Sequence, residues 1–346
     1  MRSLMTLPRE LRDQICGYVI QAPQQNPPAI NQTFDQLTQG RKSLKHPKDS
    51  GPGNDAVLNL PDGPVPNTAS LLRVNRQLHA ETLENVKFLQ ACVYELDVII
   101  LDEILLLPTW IHVPHFATRL DRVGTTFRIS GRYDRANEEY GDEGCGLPPG
   151  PYRRWNSYKG FRNGDCVGPA MSWQIYSMLE RFSKYCLCEW EHSADLVDPV
   201  RMGPAGEDGD ANNDRHISIK TLDINVETPP GISPDDLRPP RSGGMRYYDG
   251  SDSVLCPTYL ADFIVENIRD LLGSGDATWF MYGKIIYEHV DTVIVRQDGE
   301  DLERFDVAER LKHFGGYSPS RNLMMSYEGY KAIAWKRRAS RGLKGR

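Results

Sequence analysis

Cysteine is scarce in this chain, and what there is forms no framework. Seven Cys stand among 346 residues, an odd number without the regular spacing of a disulfide scaffold. Free thiols in a reducing compartment are the expectation, which places the chain in the cytoplasm or nucleus. Long apolar runs are missing too. A membrane span needs about 20 apolar residues, and the most apolar stretch, 98–107, is interrupted by Asp102 and Glu103. Charges within the first residues argue against a secretory leader. The formal net charge of -6 is too mild to mark the whole surface for nucleic acid or membrane. There is no Walker-type loop, no Gly-x-Ser-x-Gly elbow and no His-Glu-x-x-His helix. The Gly-rich stretch 141–150 lies among prolines and acids rather than between a strand and a helix, so it makes no phosphate cradle. A non-catalytic protein with no cofactor and no metal is therefore expected.

What is present begins almost at once. Leu7, Leu11, Ile15 and Val19 recur every four residues, with Arg9, Glu10, Arg12 and Asp13 between them. This spacing predicts a short amphipathic helix with Thr6 as its cap and Pro8 in its first turn. A helix this short is marginal alone, so its stripe must dock on something.

Composition then divides the chain. Hydrophobic residues make up only 39%, and 24 Pro with 30 Gly imply folded layers interrupted by loose stretches. Residues 21–67, with Pro61-Asp62-Gly63-Pro64 among other breakers, read as a flexible insertion. Leu71, Val74, Leu78, Thr82 and Val86 follow helical spacing from a cap at Thr68 or Ser70. Strands are predicted at 93–101, 122–130, 217–226 and 290–296, the last followed by an Asp298-Gly299 turn. Residues 103–119 read as helical or irregular because Pro108 and Pro114 break them. Further helices are predicted at 170–190 and 258–272, with 283–289 ambiguous. Strands alternating with helices predict an α/β fold, with α+β as the alternative, built on a small mixed sheet with flanking helices and long loops. The body runs over 93–335, with loose segments at 131–168, 195–215 and 228–253, and a basic tail at 336–346.

Two segments belong together. Leu7-Pro8-Arg9-Glu10-Leu11, with Ile15 and Val19, resembles the opening helix of an F-box, and Leu71-Leu72-Arg73-Val74-Asn75-Arg76-Gln77-Leu78 through Glu81 resembles its second half. The pair is similar to the F-box-like proteins abundant in filamentous fungi, with residues 1–20 and 68–92 as a split helical module. The resemblance implies a protein-interaction role, in which the apolar helix faces pack on the adaptor subunit of a cullin-RING ubiquitin ligase and the C-terminal part holds a protein substrate. It implies Leu7, Pro8, Leu11, Ile15, Leu72, Val74 and Leu78 as the adaptor contacts. Two other readings stay open. In one, the helices only cap the sheet of a stand-alone structural or scaffolding protein. In the other, an enzyme or nucleic-acid binder works through the aromatic-basic loop 152–162.

That loop carries Tyr152, Arg153, Arg154, Trp155, Tyr158 and Phe161. Aromatics beside Arg suit a nucleic-acid strand or an acidic peptide and make this the best candidate for a partner-binding loop. No surrounding basic field accompanies them, so aromatics that anchor the loop to the core are the preferred reading and nucleic acid is not expected. Cys186, Cys188 and His192 do not have the spacing of a zinc finger or ribbon. His112 and His115 are read as structural. The C-terminal stretch from Lys336 holds six cations in eleven residues, which suits an import signal, an anionic contact or a solvated tail. Arg337-Arg338-Ala339-Ser340 within it suits a basophilic kinase.

Overall fold

The computed structural model describes residues 4–43, 56–61, 63–89, 91–103, 105–131, 163–164, 168–185, 217–233, 237–238, 254–273, 277–315 and 327–345. In chain order its principal elements are α1 (Arg9–Gln21), α2 (Phe34–Thr38), α3 (Asn67–Val74), α4 (Arg76–Phe88), β1 (Val93–Leu101), β2 (Leu105–His112), β3 (Arg119–Ser130), α5 (Ala170–Tyr185), β4 (Ser218–Glu227), α6 (Pro257–Leu271), α7 (Ala277–His289), β5 (Val290–Gln297), β6 (Glu300–Asp306), α8 (Val307–His313) and α9 (Tyr327–Ser340).

The strands form one six-stranded mixed sheet in the order β6-β5-β4-β3-β1-β2. The four inner strands are parallel, and each edge strand joins its neighbour as an antiparallel hairpin. At the β5–β6 hairpin, Asp298 and Gly299 both have positive φ, as a two-residue turn that matches the sheet twist requires. One face of the sheet carries Tyr94, Val98, Ile100, Val123, Phe127, Leu222, Ile224, Val293 and Val295, which form the main core with α5, α6 and α7. β1 reads as an apolar run in its second half because both of its faces are buried there.

The opposite face explains the segment at 21–67. Ile99, Leu101, Leu105 and Leu107 alternate onto that face and form a second buried cluster with Leu37, Ala56 and Leu58. Leu37, Ala56 and Leu58 of that segment are thus packed and not loose, because they cover apolar surface of the sheet. Arg41 fastens them: its guanidinium donates to the carbonyls of Leu37, Leu58 and Pro108 and to Thr109 Oγ1. Thr33 and Gln36 close a capping box at α2.

Three further expectations are corrected. Residues 105–112 form a strand, and Pro108 is accommodated because β2 is an edge strand. The predicted continuous helix from 70 to 86 is two helices that meet at Asn75, whose extended backbone ends α3 and whose side chain caps α4. Residues 336–340 continue α9 and are not a solvated tail, because Arg337, Arg338, Arg341 and Lys344 are all engaged within the fold. Most of 131–168, 195–215 and 228–253 lies outside the described residues.

Candidate functional site

The helical unit is built from α1, α3 and α4. Asn67, the first residue of α3, donates through its amide to the carbonyls of Ile20 and Ala22 at the end of α1. At the opposite end Asn75 reaches the sulfur of Met5. The two helices therefore run antiparallel. The unit is tied to the sheet through β2 and the residues just after it: Gln24 N–H donates to the Ile111 carbonyl, Asn67 N–H to that of Val113, and Thr68 N–H to that of Pro114.

The inward face of α1 is Arg12, Cys16 and Ile20, all buried. Arg12 forms a bidentate pair with Glu81 of α4, Nε to Oε2 at 3.0 Å and Nη2 to Oε1 at 2.6 Å. Gln77 donates to the same carboxylate at 3.0 Å. The Arg12 hydrogen bond, assisted by Gln77, holds the Glu81 carboxyl down at about 2. Burial pushes the Cys16 thiol up and keeps it a neutral packing group. Arg9 pairs with Glu84, and Asn85 donates to Asp13 at 3.1 Å.

With Arg12, Cys16 and Ile20 facing in, the apolar stripe faces out. Leu11 is 45% exposed, Ile15 38% and Val19 39%, and Tyr18 beside them is 78% exposed. Val74, at the end of α3, is 61% exposed. Pro8 is exposed, while Leu7 and Leu72 are half-buried. Leu78 departs from this set. It is 2% exposed and belongs to the interior of the unit, because its backbone N–H is held by the Asn75 cap on the inward turn of α4.

Sequence reasoning missed Tyr18, although it stands three residues after Ile15 and seven after Leu11, on the same side of the helix. It also missed the pairing of Arg12 with Glu81, which no local spacing reports.

Tyr152, Arg153, Arg154, Trp155, Tyr158 and Phe161 lie outside the described residues, as do Cys186, Cys188 and His192. His112 is buried, with Nδ1 3.0 Å from the Ala22 carbonyl oxygen, and it serves the junction between α1 and β2. Among the described residues no group of three or more His, Cys, Asp or Glu could hold a metal ion. Among them, too, no helix is long and apolar enough to cross a membrane. A further charge cluster lies on the sheet face opposite α5–α7. There Asp223 stands between Arg122 at 2.7 Å and Arg296 at 3.1 Å, and Arg296 also approaches Asp301 at 3.1 Å. No family model, no curated protein and no solved structure matches this chain.

Proposed function

We propose that the α1–α3–α4 unit docks on a partner protein through Leu11, Ile15 and Val74, with Leu7, Pro8 and Leu72 at the margin. The partner class is the small adaptor subunit of a cullin-RING ubiquitin ligase, and the sheet body holds a protein substrate. Cytoplasm or nucleus is the proposed place of action. The observation that carries the reading is the orientation of α1: its charged Arg12 is spent inside the unit, while its regular apolar stripe is left at the surface. An apolar residue scattered singly on a surface needs no explanation, but a helical row of them does. Covering each half-exposed side chain contributes about 1 kcal/mol, and a charge placed among them opposes docking.

The test uses purified adaptor subunit and the full chain immobilised. Wild type retains the adaptor, and the Leu11→Asp, Ile15→Asp double variant loses it while keeping its circular dichroism and melting profile. Failure of the wild type to retain the adaptor overturns the ubiquitin-ligase reading. Unfolding of the double variant instead assigns the stripe to the fold and favours a structural or scaffolding protein.

A further inference from the structure

The two halves of α9 are held by different forces. The first half is apolar: Tyr330 and Ala334 are buried, and the Tyr330 ring lies 5.8 Å from Phe314 and 6.4 Å from Tyr287, centroid to centroid. The last turn is held by charge. Arg337 donates to both carboxylate oxygens of Glu288, at 2.8 and 2.9 Å. Arg338 is fully buried and donates to the carbonyls of Tyr287 and Val290 and to Asp291. Arg341 donates to the Glu288 carbonyl at 2.9 Å, and Asp291 also accepts from the Lys344 backbone N–H. Gly342, at φ +70°, closes the helix: Leu343 N–H bonds to the Arg338 carbonyl and Gly342 N–H to that of Ala339. Charges regain hydration when a turn opens whereas aromatic surface does not, and on that ground we infer that this turn opens ahead of the aromatic half.

Ser340 sits in that turn. It is exposed, and it follows Arg337 and Arg338 at the third and second positions, the arrangement that Arg-directed serine kinases read in an extended chain. In the closed fold both arginines are engaged and the Ser340 hydroxyl donates to the Arg337 carbonyl at 2.8 Å. We propose that Ser340 is a phosphoacceptor gated by this charged latch. An Arg-directed kinase transfers the γ-phosphoryl group of ATP once the turn has opened. A bond forms from Oγ to phosphorus, the bond from phosphorus to the β–γ bridging oxygen breaks, and ADP leaves. The hydroxyl proton passes to the kinase's catalytic carboxylate.

The product resists reclosure for two reasons. It places about two negative charges at the C-terminal end of a helix, where the backbone dipole is already negative. It also stands between Arg337 and Arg341, the cations that neutralise buried Glu288. A phosphate that draws either away leaves that carboxylate buried and under-compensated. The modified turn therefore stays open.

The experiment treats the full chain with an Arg-directed Ser/Thr kinase and ATP and maps the sites by mass spectrometry. Wild type, Asp291→Asn, Ser340→Ala and a synthetic peptide of residues 333–345 are compared. Ser340 in wild type is expected to react about tenfold or more slowly than in the peptide, because the rate follows the open population. Asp291→Asn falls between the two, and Ser340→Ala is unmodified at that position. Phosphorylated wild type then shows faster amide exchange over 337–344 with 327–334 still protected. If Asp291→Asn loses the whole fold, Lys344→Ala replaces it, since that side chain pairs with the exposed Asp306 carboxylate, at 2.9 Å. Three results overturn the proposal: an unmodified Ser340 in the peptide, equal rates in wild type and peptide, or unchanged exchange after phosphorylation.

Discussion

Arg12 and Glu81 lie 69 residues apart in the chain and meet in a bidentate pair inside the helical unit. The pair joins the two segments of the helical unit, and it explains why α1 turns its apolar stripe outward. A guanidinium at an inward position needs a carboxylate within reach, and α4 supplies one that Gln77 orients.

The pair predicts an acid transition in the helical unit. The folded Glu81 carboxyl lies at about 2, below its ordinary 4.5. A depressed carboxylate contributes its full stability above the ordinary value and loses it as pH falls toward the folded value. Amide protection in α1 and α4, taken relative to the intrinsic exchange rate at each pH, should therefore fall between about pH 4.5 and 2, in the window set by those two values. Glu81→Gln should show the lowered protection already at pH 7 and little further change on acidification. A wild-type-like pH profile in Glu81→Gln would contradict the assignment.

The two faces of α1 should differ in how much a substitution costs. Leu11→Asp and Ile15→Asp change stability by no more than about 0.5–1 kcal/mol, as exposed positions do. Ile20→Ala, at a fully buried position, costs about 2–4 kcal/mol. Urea unfolding of the three variants separates them, and equal losses would place both faces in the core.

Arg41 is expected to be a strong point of the cover on the second sheet face. Burial lowers its guanidinium to about 10, and its donors serve three carbonyls and a hydroxyl. Arg41→Ala leaves those acceptors short of partners and should cost about 2–4 kcal/mol. Dye binding to newly exposed apolar surface over Leu101, Leu105 and Leu107 is the accompanying readout. Arg41→Lys should recover only part of the loss, because an ammonium cannot span the same acceptors.

Gly283 marks the close crossing of α7 over the end of α6. A Cβ built there overlaps the Leu271 carbonyl oxygen. Nearby the Tyr287 hydroxyl donates to the Leu272 carbonyl at 2.7 Å, in a site whose burial holds the phenol well above its usual range. Gly283→Ala should therefore destabilise by about 1–3 kcal/mol through overpacking, although alanine favours helix. A rise in melting temperature would show that the crossing relaxes.

Where periodicity decides the structure, the sequence reading and the fold agree. The strand predicted at 93–101 is β1 to the residue, and the Asp298-Gly299 turn has the positive φ values its residue types favour. β2 was illegible because Pro108 breaks a strand everywhere but at a sheet edge, and edge position is a property of the whole sheet. β6 was hidden by its acids, since a charged strand carries no apolar alternation. The apolar stripe of α1 was legible, but its direction was not: that is set by Arg12 finding Glu81 across the intervening segment. The same holds for Leu78, which shares the spacing of Val74 yet turns inward after the break at Asn75.

The way Leu37, Ala56 and Leu58 cover the sheet bears on how such a protein can be recombined. The chain leaves one half of the helical unit, clamps Ile99, Leu101, Leu105 and Leu107, and returns to form the other half. The unit cannot be lifted onto a foreign sheet as a cassette, because the strip of chain that completes it is shaped to this one. A chimera that keeps α1, α3 and α4 must also inherit Leu37, Arg41, Leu58 and the hairpin of β1 and β2, so the smallest heritable piece is helices and sheet edge together.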